Sequence, residues 1–370
     1  MHDVLVARQP IYDSALHVVA YELLLQHGDG ATAELGLNLV GGQLAYIPVS
    51  RAFLVEGFAR ALPADRVMLK VPRALELDQE VLDELDALRC DGYRLVVEGA
   101  REPLLDAATV IAVDISTDER HALPEPRREA VLLAENVKDH DALEFCRSHG
   151  FDLLQGYFFC TPREIPGRPV QVNLLNRVKL AATLQSPDVE LEEIEHVITR
   201  DVALSYNLLR FINSAFFSLP RRVDSIRDAL VLLGVENVRR WATLMAIADA
   251  DSKPRELVVT GLVRARLCEL LARAYRHDDP DAFFTVGLFS VVDAVTDTSM
   301  IELLGSIPLS QELIAALLNH EGAKGRILHS TIAYERGRFS ELADLPPTHP
   351  PLAELYGEAV AWATASGEML

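Results

Sequence analysis

The amino-acid sequence predicts an α/β barrel followed by an all-helical domain. The chain has 370 residues, 49% of them hydrophobic, which is enough apolar side chain for two domains with separate cores. Its first 160 or so residues contain eight short apolar runs. After a cluster formed by Pro162, Pro166, Gly167 and Pro169, such runs largely disappear and helical periodicity takes over.

The eight apolar runs are rich in Val, Leu, Ile and Tyr, as strands are. Between two of them, Leu75, Val81, Leu85 and Leu88 have helical spacing. Alternating strands and helices are typical of βα units with a parallel sheet. Eight near-continuous apolar strands favour a TIM-like (β/α)8 barrel, which we assign to residues 1–165. The predicted strands are residues 4–7, 18–25, 46–49, 67–71, 93–97, 110–115, 130–134 and 153–159.

The second domain, residues 172–370, contains predicted helices only. Asp201 and Ser225 precede apolar stripes and are predicted N-caps, and Gly234 is a predicted helix stop. The predicted helices are residues 174–184, 189–199, 202–212, 226–233, 235–248, 256–275, 281–295, 310–317 and 325–336.

Charge and composition narrow the function classes. There are 55 acidic and 35 basic residues, giving a net charge of −20, which opposes binding to nucleic acid or to anionic membranes. The four cysteines have no disulfide or zinc spacing, and the sequence has neither a signal peptide nor 18 consecutive apolar residues. We therefore expect a cytoplasmic protein that binds no nucleic acid and no membrane.

Polar side chains occur where several predicted strands end. These residues are Glu22, Lys70, Glu98, Asp114, Glu135 and Gln155. Chemistry in such barrels collects at the carboxyl ends of the strands, and converging carboxylates would suit Mg²⁺. Spacing alone leaves a metal site and ordinary solvated strand ends equally open.

Several ordered motifs over residues 3–162 resemble the EAL domain, a barrel that hydrolyses cyclic di-GMP. They are RQPIYD at 8–13, VVAYELLLQ at 18–26, GYRLVVE at 92–98, IAVD at 111–114, AENVK at 134–138 and LQGYFF at 154–159. The resemblance implies a site with two metal ions, held by acidic residues, an asparagine and a glutamine. Four of the implied site residues are kept: Glu22, Asp114, Glu135 and Gln155.

Other positions of that implied site are changed. Pro48 replaces the asparagine, Lys70 a glutamate, and Glu98-Gly99 an aspartate pair. The remaining changes are Ala112 for a lysine, Lys138 for a glutamate and Gln26 for a phosphate-binding arginine. Lost ligands and added ammonium groups both disfavour Mg²⁺. We therefore expect no metal and no cofactor, with Lys70 paired to Glu98 or Glu135.

The second domain resembles the HDOD domain, a helical relative of the HD phosphohydrolases. The resemblance rests on DVALSYNLLRFINSA at 201–215 and DSIRDALVLLG at 224–234, and its signature positions are Arg210, Asn213, Ser214 and Gly234. Ser290 and Val291 stand where an HD enzyme would need its His-Asp pair. We interpret Asn213 and Ser214 as helix-end hydrogen-bonding residues rather than ligand contacts, and His277, His320 and His329 as isolated.

The combined resemblance is to EAL-HDOD signalling proteins, which implies a bacterial pathway affecting motility, pili or biofilm. We expect a catalytically inactive scaffold, not an enzyme, that binds protein partners and could form a homodimer through the barrel. Cyclic di-GMP is expected to be an unlikely partner. Two alternatives stay open: a cyclic di-GMP receptor without hydrolysis, and a phosphodiesterase with a rearranged metal site. Candidate partner-docking residues form a local basic patch: Arg221, Arg222, Arg239 and Arg240.

Overall fold

The protein divides into two compact units. Unit one holds residues 1–161 and 330–360, and unit two holds residues 162–329 and 361–370. The sequence pattern assigns residues 330–360 to the helical domain, whereas their contacts group them with the barrel. The computed structural model describes residues 5–26, 30–99, 101, 104–117, 130–163, 172–185, 189–213, 223–248, 253–307, 309–342 and 345–367.

Unit one contains a closed eight-stranded barrel in which each strand pairs with its neighbours in sequence, and β1 closes on β8. The predicted barrel is thus confirmed. Its last strand is shorter than predicted, because a 3-10 helix, Phe158–Cys160, follows Gly156. The strands are β1 Val6–Asp13, β2 Val18–Leu25, β3 Leu44–Pro48, β4 Val67–Val71, β5 Arg94–Glu98, β6 Ala108–Asp114, β7 Val131–Glu135 and β8 Leu153–Gln155.

Strand β1 departs from the predicted parallel arrangement. It pairs antiparallel with both β2 and β8, while the other neighbouring strands are parallel. The physical reason is the short connection to β2, in which the backbone N–H of His17 donates to the Asp13 side chain at 2.8 Å. A parallel pairing needs a crossover of a dozen or more residues, whereas a tight turn reverses the chain.

Alternate side chains of the strands form two apolar layers. The barrel interior is filled by eight residues: Ile11, Ala20, Tyr46, Met68, Val96, Val110, Ala112 and Leu133. The outer layer includes Leu69 and Val97 and packs against helix residues such as Phe53 and Leu85. Because successive strand residues face opposite sides, the interior layer fixes which side chains point to the carboxyl end of the barrel. The helices beside the strands are α1 Gly30–Leu37, α2 Arg51–Val55, α3 Gln79–Cys90 and α4 His140–Ser148.

Described residues 172–329 form helices, as predicted. The predicted N-caps are confirmed, since Asp201 accepts from the Leu204 N–H and Ser225 from the Asp228 N–H. Gly234 ends its helix with a φ of 85°, a conformation that favours glycine. The helices are α5 Val172–Leu184, α6 Leu191–Thr199, α7 Val202–Ile212, α8 Ile226–Leu233, α9 Val235–Ala248, α10 Arg255–Ala274, α11 Pro280–Phe289, α12 Val292–Thr296, α13 Met300–Leu304, α14 Gln311–Asn319 and α15 Gly322–Glu335. The last of these helices, α15, continues past residue 329 into unit one.

Two helical predictions differ from the structure. The helix predicted over 281–295 is two helices, α11 and α12, separated at Ser290 and Val291. Helix α13 was not predicted, and the predicted C-terminal helical extension, for which no bounds were given, contains a last helix, α16 Leu352–Gly367. Helix α11 lies against the backbone of α10, because a Cβ on Gly287 would come within 2.6 Å of the Ala265 Cα.

Candidate functional site

The carboxyl ends of the barrel strands bring together most of the polar residues singled out in the sequence. Glu22, Lys70, Glu98 and Glu135 each follow, by two positions, a side chain of the interior layer on the same strand. Strand alternation therefore points all four toward the barrel axis. Together they form what we call the Lys70 cluster.

Lys70 is the centre of this cluster. Its Nζ lies 2.7 Å from Glu22 Oε1, 3.0 Å from Glu98 Oε1 and 2.6 Å from Glu135 Oε1. Only 7% of the lysine side chain is exposed. Lys70 thus contacts both of the glutamates that were expected as alternative partners, and it also contacts Glu22, which the sequence reasoning did not include.

Burial and charge set the protonation of the cluster. Burial by itself lowers the pKa of Lys70, but Glu22, Glu135 and Glu98 together hold it above the ordinary lysine value. Burial raises the pKa of Glu135 to about 7, with Glu22 and Glu98 adding to the rise and Lys70 opposing it. At neutral pH the ammonium is therefore charged.

Two of the remaining carboxylate oxygens of the Lys70 cluster, on Glu22 and Glu98, are held by neighbouring donors. Gln155 Nε2 donates to Glu22 Oε2 at 2.5 Å and to Gln9 Oε1 at 3.0 Å. The Arg73 backbone N–H donates to Glu98 Oε2 at 2.8 Å. These bonds fix the carboxylates in place, because each charged acceptor gains a short, directional partner.

The guanidinium group of Arg73 lies beside Gly99, the residue that follows Glu98 of the Lys70 cluster. A Cβ on Gly99 would come within 2.8 Å of Arg73 Nη2, and Gly99 has a φ of +72°. Because glycine has no side chain, the Arg73 guanidinium can occupy the space next to residue 99. Arg101 holds the loop that carries Arg73, since it donates to the carbonyls of Pro72 and Leu75 at 3.0 and 2.8 Å.

The Lys70 cluster does not fit a divalent cation. An ammonium lies at the point where the three carboxylates converge. Among the described residues, no group of three or more His, Cys, Asp or Glu side chains could hold a metal ion. Asp114 Oδ1 accepts from the N–H and the hydroxyl of Ser116 at 2.8 and 2.7 Å. We therefore derive no step through a metal at this site.

The other predicted barrel positions lie around the cluster. Pro48 pairs with Lys70 across β3 and β4, and Ala112 is buried in the interior layer. Gln26 and Lys138 are exposed. Sequence reasoning missed Arg73, which follows the last residue of β4 by two positions, because its approach to Gly99 depends on loop geometry that no pattern in the sequence signals.

The HDOD signature residues have structural contacts in the second unit. Asn213 Nδ2 donates to the Leu209 and Val223 carbonyls, and its Oδ1 accepts from the Val223 N–H at 2.8 Å. The Arg210 guanidinium lies 6.0 Å from the centre of the exposed Tyr206 ring. Ser214, Arg221 and Arg222 lie outside the described residues.

The basic patch expected for partner docking needs correction at Arg239 and Arg240. The Arg240 side chain is 15% exposed and pairs with Glu269 at 3.1 Å and with Asp281. Arg239 is 12% exposed and lies 3.4 Å from Glu236. Glu269 is fully buried and also binds Arg266 and Arg273, so Arg240 belongs to an internal ion-pair network.

The residues around the expected His-Asp position form a polar cluster of their own. Arg264 Nη1 donates to Ser290 Oγ at 3.3 Å, and the Ser290 hydroxyl donates to the Gly287 carbonyl. Burial raises the pKa of the Asp293 carboxyl to about 6. The three histidines were expected to be isolated, but His320 and His329 lie with ring centres 5.3 Å apart, and His277 stacks on Phe283.

Comparison with known proteins identifies the family. Residues 174–302 match the HDOD domain. A relative from Vibrio cholerae, "Cyclic di-GMP phosphodiesterase CdgJ", is 30% identical over 91% of this chain and 86% of its own length. The chain belongs to the EAL-HDOD family. An uncharacterized protein of Bacillus subtilis (strain 168), YuxH, is 26% identical over 97% of this chain and 98% of its own.

Two solved structures align with part of this EAL-HDOD chain. The complex of Klebsiella pneumoniae BlrP1 with manganese and cy-diGMP covers 43% of this chain and 55% of its own, with 18% identity and a TM-score of 0.36. The EAL domain protein from Listeria monocytogenes EGD-e covers 42% of this chain and 87% of its own, with 15% identity and a TM-score of 0.34. No residue role is transferred from either structure.

Two expectations are overturned by the Vibrio relative. We expected that the chain is not an enzyme, and a relative that matches nearly its whole length is named a cyclic di-GMP phosphodiesterase. We also expected cyclic di-GMP to be an unlikely partner, and the same name contradicts that expectation. Both expectations were wrong for the same reason: the loss of metal ligands was taken to mean that the barrel neither hydrolyses nor binds the nucleotide.

No helix in the described part of the chain is both long enough and apolar enough to cross a bilayer.

Proposed function

We propose that this EAL-HDOD protein is a cyclic di-GMP signalling protein whose barrel binds the nucleotide at the carboxyl ends of its strands. The name of the Vibrio relative supports the choice of nucleotide. The location is supported by the general rule that ligands of such barrels bind at the carboxyl ends of the strands. The HDOD unit would pass the signal to a protein partner, and the exposed Tyr206 side chain offers it a contact.

The observation that carries the proposal is the Arg73 guanidinium at this end of the barrel. Cyclic di-GMP has two anionic phosphodiesters, so its site has to supply positive charge. Lys70 offsets part of the negative charge of the three glutamates around it. The Arg73 guanidinium occupies the space next to Gly99. Its planar donor geometry matches phosphate oxygens.

Calorimetry with the full chain and cyclic di-GMP tests this proposal. We expect saturable binding, and we expect Arg73→Ala to weaken the affinity about tenfold, the loss of one charge-assisted contact. Arg89→Ala is the matched control, because Arg89 is an exposed arginine on α3 that bonds to Asp86 of the same helix. The absence of saturable heat from the unaltered protein would refute the proposal.

Hydrolysis of cyclic di-GMP is a second candidate function, favoured by the name of the Vibrio relative. Water would add across one phosphodiester P–O bond and yield the linear dinucleotide. Glu135, whose carboxyl pKa burial raises to about 7, is the candidate to take the proton of the attacking water.

Chromatography of cyclic di-GMP incubated with the full chain, with and without added Mg²⁺ or Mn²⁺, tests for hydrolysis. Formation of the linear product above the protein-free rate, and its loss in Glu135→Gln, would support hydrolysis. No product under any of these conditions would remove this second candidate and leave binding as the proposed function.

A further inference from the structure

The C-terminal segment, residues 330–360, is part of the barrel unit. The buried Tyr334 hydroxyl donates to the Val6 carbonyl at 3.0 Å and accepts from the Val6 N–H at 3.3 Å. The Tyr356 hydroxyl accepts from the Arg8 N–H at 3.4 Å. The segment is therefore bound to the first residues of β1 by hydrogen bonds that are buried.

These contacts lie at the end of the barrel that holds the Lys70 cluster. Strand β1 is antiparallel to β2, and Val6 pairs with Leu25. The beginning of β1 therefore lies beside the carboxyl end of β2, which also carries Glu22. The C-terminal segment thus reaches the carboxyl ends of the strands, where sequence order alone would not place it.

Two contacts locate residues 335–337 just beyond the cluster. A Cβ on Gly337 would come within 2.9 Å of Leu24 Cδ1, and Leu24 follows Glu22 by two positions on the same face of β2. The Tyr157 hydroxyl donates to the Glu335 carbonyl at 2.8 Å, and Tyr157 follows Gln155 by two positions. Glu22 and Gln155 are hydrogen-bonded to each other.

Arg336 lies between these two anchored residues. Its guanidinium carbon is 5.0 Å from the centre of the Tyr157 ring, and its side chain is exposed. The ring fixes the position of the charge without neutralising it, because a cation–π contact leaves the outer N–H groups able to bind an anion.

We infer that Arg336 binds a phosphate of the nucleotide, so that the C-terminal segment completes the site. This inference rests on the proposed binding of cyclic di-GMP to the barrel. Arg336 lies beside β8 and β2, whereas Arg73 follows β4, and β4 and β8 are on opposite sides of an eight-strand ring. In this inference Arg336 and Arg73 each bind one of the two phosphates of the cyclic dinucleotide.

Calorimetry of the full chain with cyclic di-GMP at several salt concentrations tests the inference. Arg336→Met keeps the aliphatic stem and removes the charge, and we expect it to weaken affinity about tenfold. We also expect the salt dependence of Kd to decrease, because one ionic contact is lost. Arg338→Met is the control, since Arg338 is an exposed arginine of the same segment that pairs with Glu341.

The outcomes separate the inference from the function on which it rests. No binding by the unaltered chain would refute the proposed function. Binding that is equal in the unaltered chain and in Arg336→Met would refute the inference and leave the function standing. A weaker affinity with an unchanged salt dependence would assign Arg336 a structural role only and would also overturn the inference.

Discussion

Lys70 supplies the positive charge shared by three glutamates at the carboxyl end of the barrel. Its ammonium is within 3.0 Å of each of them. Removing one partner from a buried ionic cluster leaves the others uncompensated, which costs far more than losing a surface pair. Lys70 therefore matters to the stability of the barrel as well as to the charge of the proposed nucleotide site.

Lys70→Met should lower the free energy of unfolding by about 3–5 kcal/mol at pH 7. Thermal and urea unfolding of the full chain would measure the loss. Lys138→Met is the matched control, because Lys138 is exposed in the loop after β7, and it should change stability little. Equal stability of the two variants would show that the cluster does not depend on the ammonium.

The raised pKa of Asp293 predicts that the free energy of unfolding depends on pH. Burial raises its pKa from an ordinary 3.8 to about 6, so between these pH values the folded protein binds more protons than the unfolded chain. The free energy of unfolding therefore falls as pH rises through this window. Asp293→Asn cannot titrate, and its stability relative to the unaltered chain should rise from pH 4 to pH 6 by about 2 kcal/mol. Urea unfolding across this range measures the difference, and a difference independent of pH would contradict the assignment.

At the residue scale, sequence reasoning located most of the site but not its full contacts. Glu22, Lys70, Glu98 and Glu135 were singled out because they end predicted strands, and the structure brings them together. The contribution of Arg73 could not be predicted, because it depends on the space left over Gly99. Close approaches of this kind depend on loop geometry, which strand periodicity does not encode.

At the element scale, the apolar runs predicted eight strands, but the run at residues 4–7 covers only the first two residues of β1, and the direction of β1 was not predicted. The period of two specifies a strand and its buried face, whereas direction depends on the connection. The turn closed by Asp13 and His17 reverses the chain and makes β1 antiparallel. This reversal has a functional consequence, because it brings the beginning of β1 to the carboxyl ends of the other strands.

Helix packing in the second unit depends on Gly287. A Cβ there would come within 2.5 Å of the Arg264 carbonyl and 2.6 Å of the Ala265 Cα, and backbone atoms cannot move aside as a flexible side chain can. Gly287→Ala should therefore lower the free energy of unfolding by about 1–3 kcal/mol, as overpacking does.

Gly305→Ala is the control for this change. The nearest atoms to a Cβ on Gly305 are 3.5 and 3.6 Å away, which is ordinary contact, so stability should change little. Urea unfolding of both variants gives the comparison. An unaffected Gly287→Ala protein would show that α10 and α11 can separate at no cost.

At the scale of the whole molecule, the chain order differs from the spatial order. Residues 330–360 follow the helical domain in sequence but belong to the barrel unit. No local pattern predicts this return, because it depends on pairings such as Tyr334 with Val6, which are 328 positions apart. The expected domain boundaries therefore describe the start of the helical unit better than its end.

A fragment ending at Thr161 should be less stable than the barrel of the full chain. It lacks Tyr334 and Tyr356, whose rings are buried and whose hydroxyls bond to the backbone of β1. Urea unfolding of the fragment should give a lower midpoint, with loss of near-ultraviolet circular dichroism at milder conditions. A fragment as stable as the barrel of the full chain would show that the C-terminal segment contributes nothing to the fold.

Cyclic di-GMP is proposed to bind at the carboxyl ends of the barrel strands. Hydrogen–deuterium exchange of the full chain with and without the nucleotide tests this proposal directly, because exchange reports the location of the ligand. We expect slower exchange with nucleotide in peptides covering residues 72–76, 135–138, 155–158 and 334–338. Unchanged exchange in these peptides, or slowing confined to residues 172–329, would contradict it.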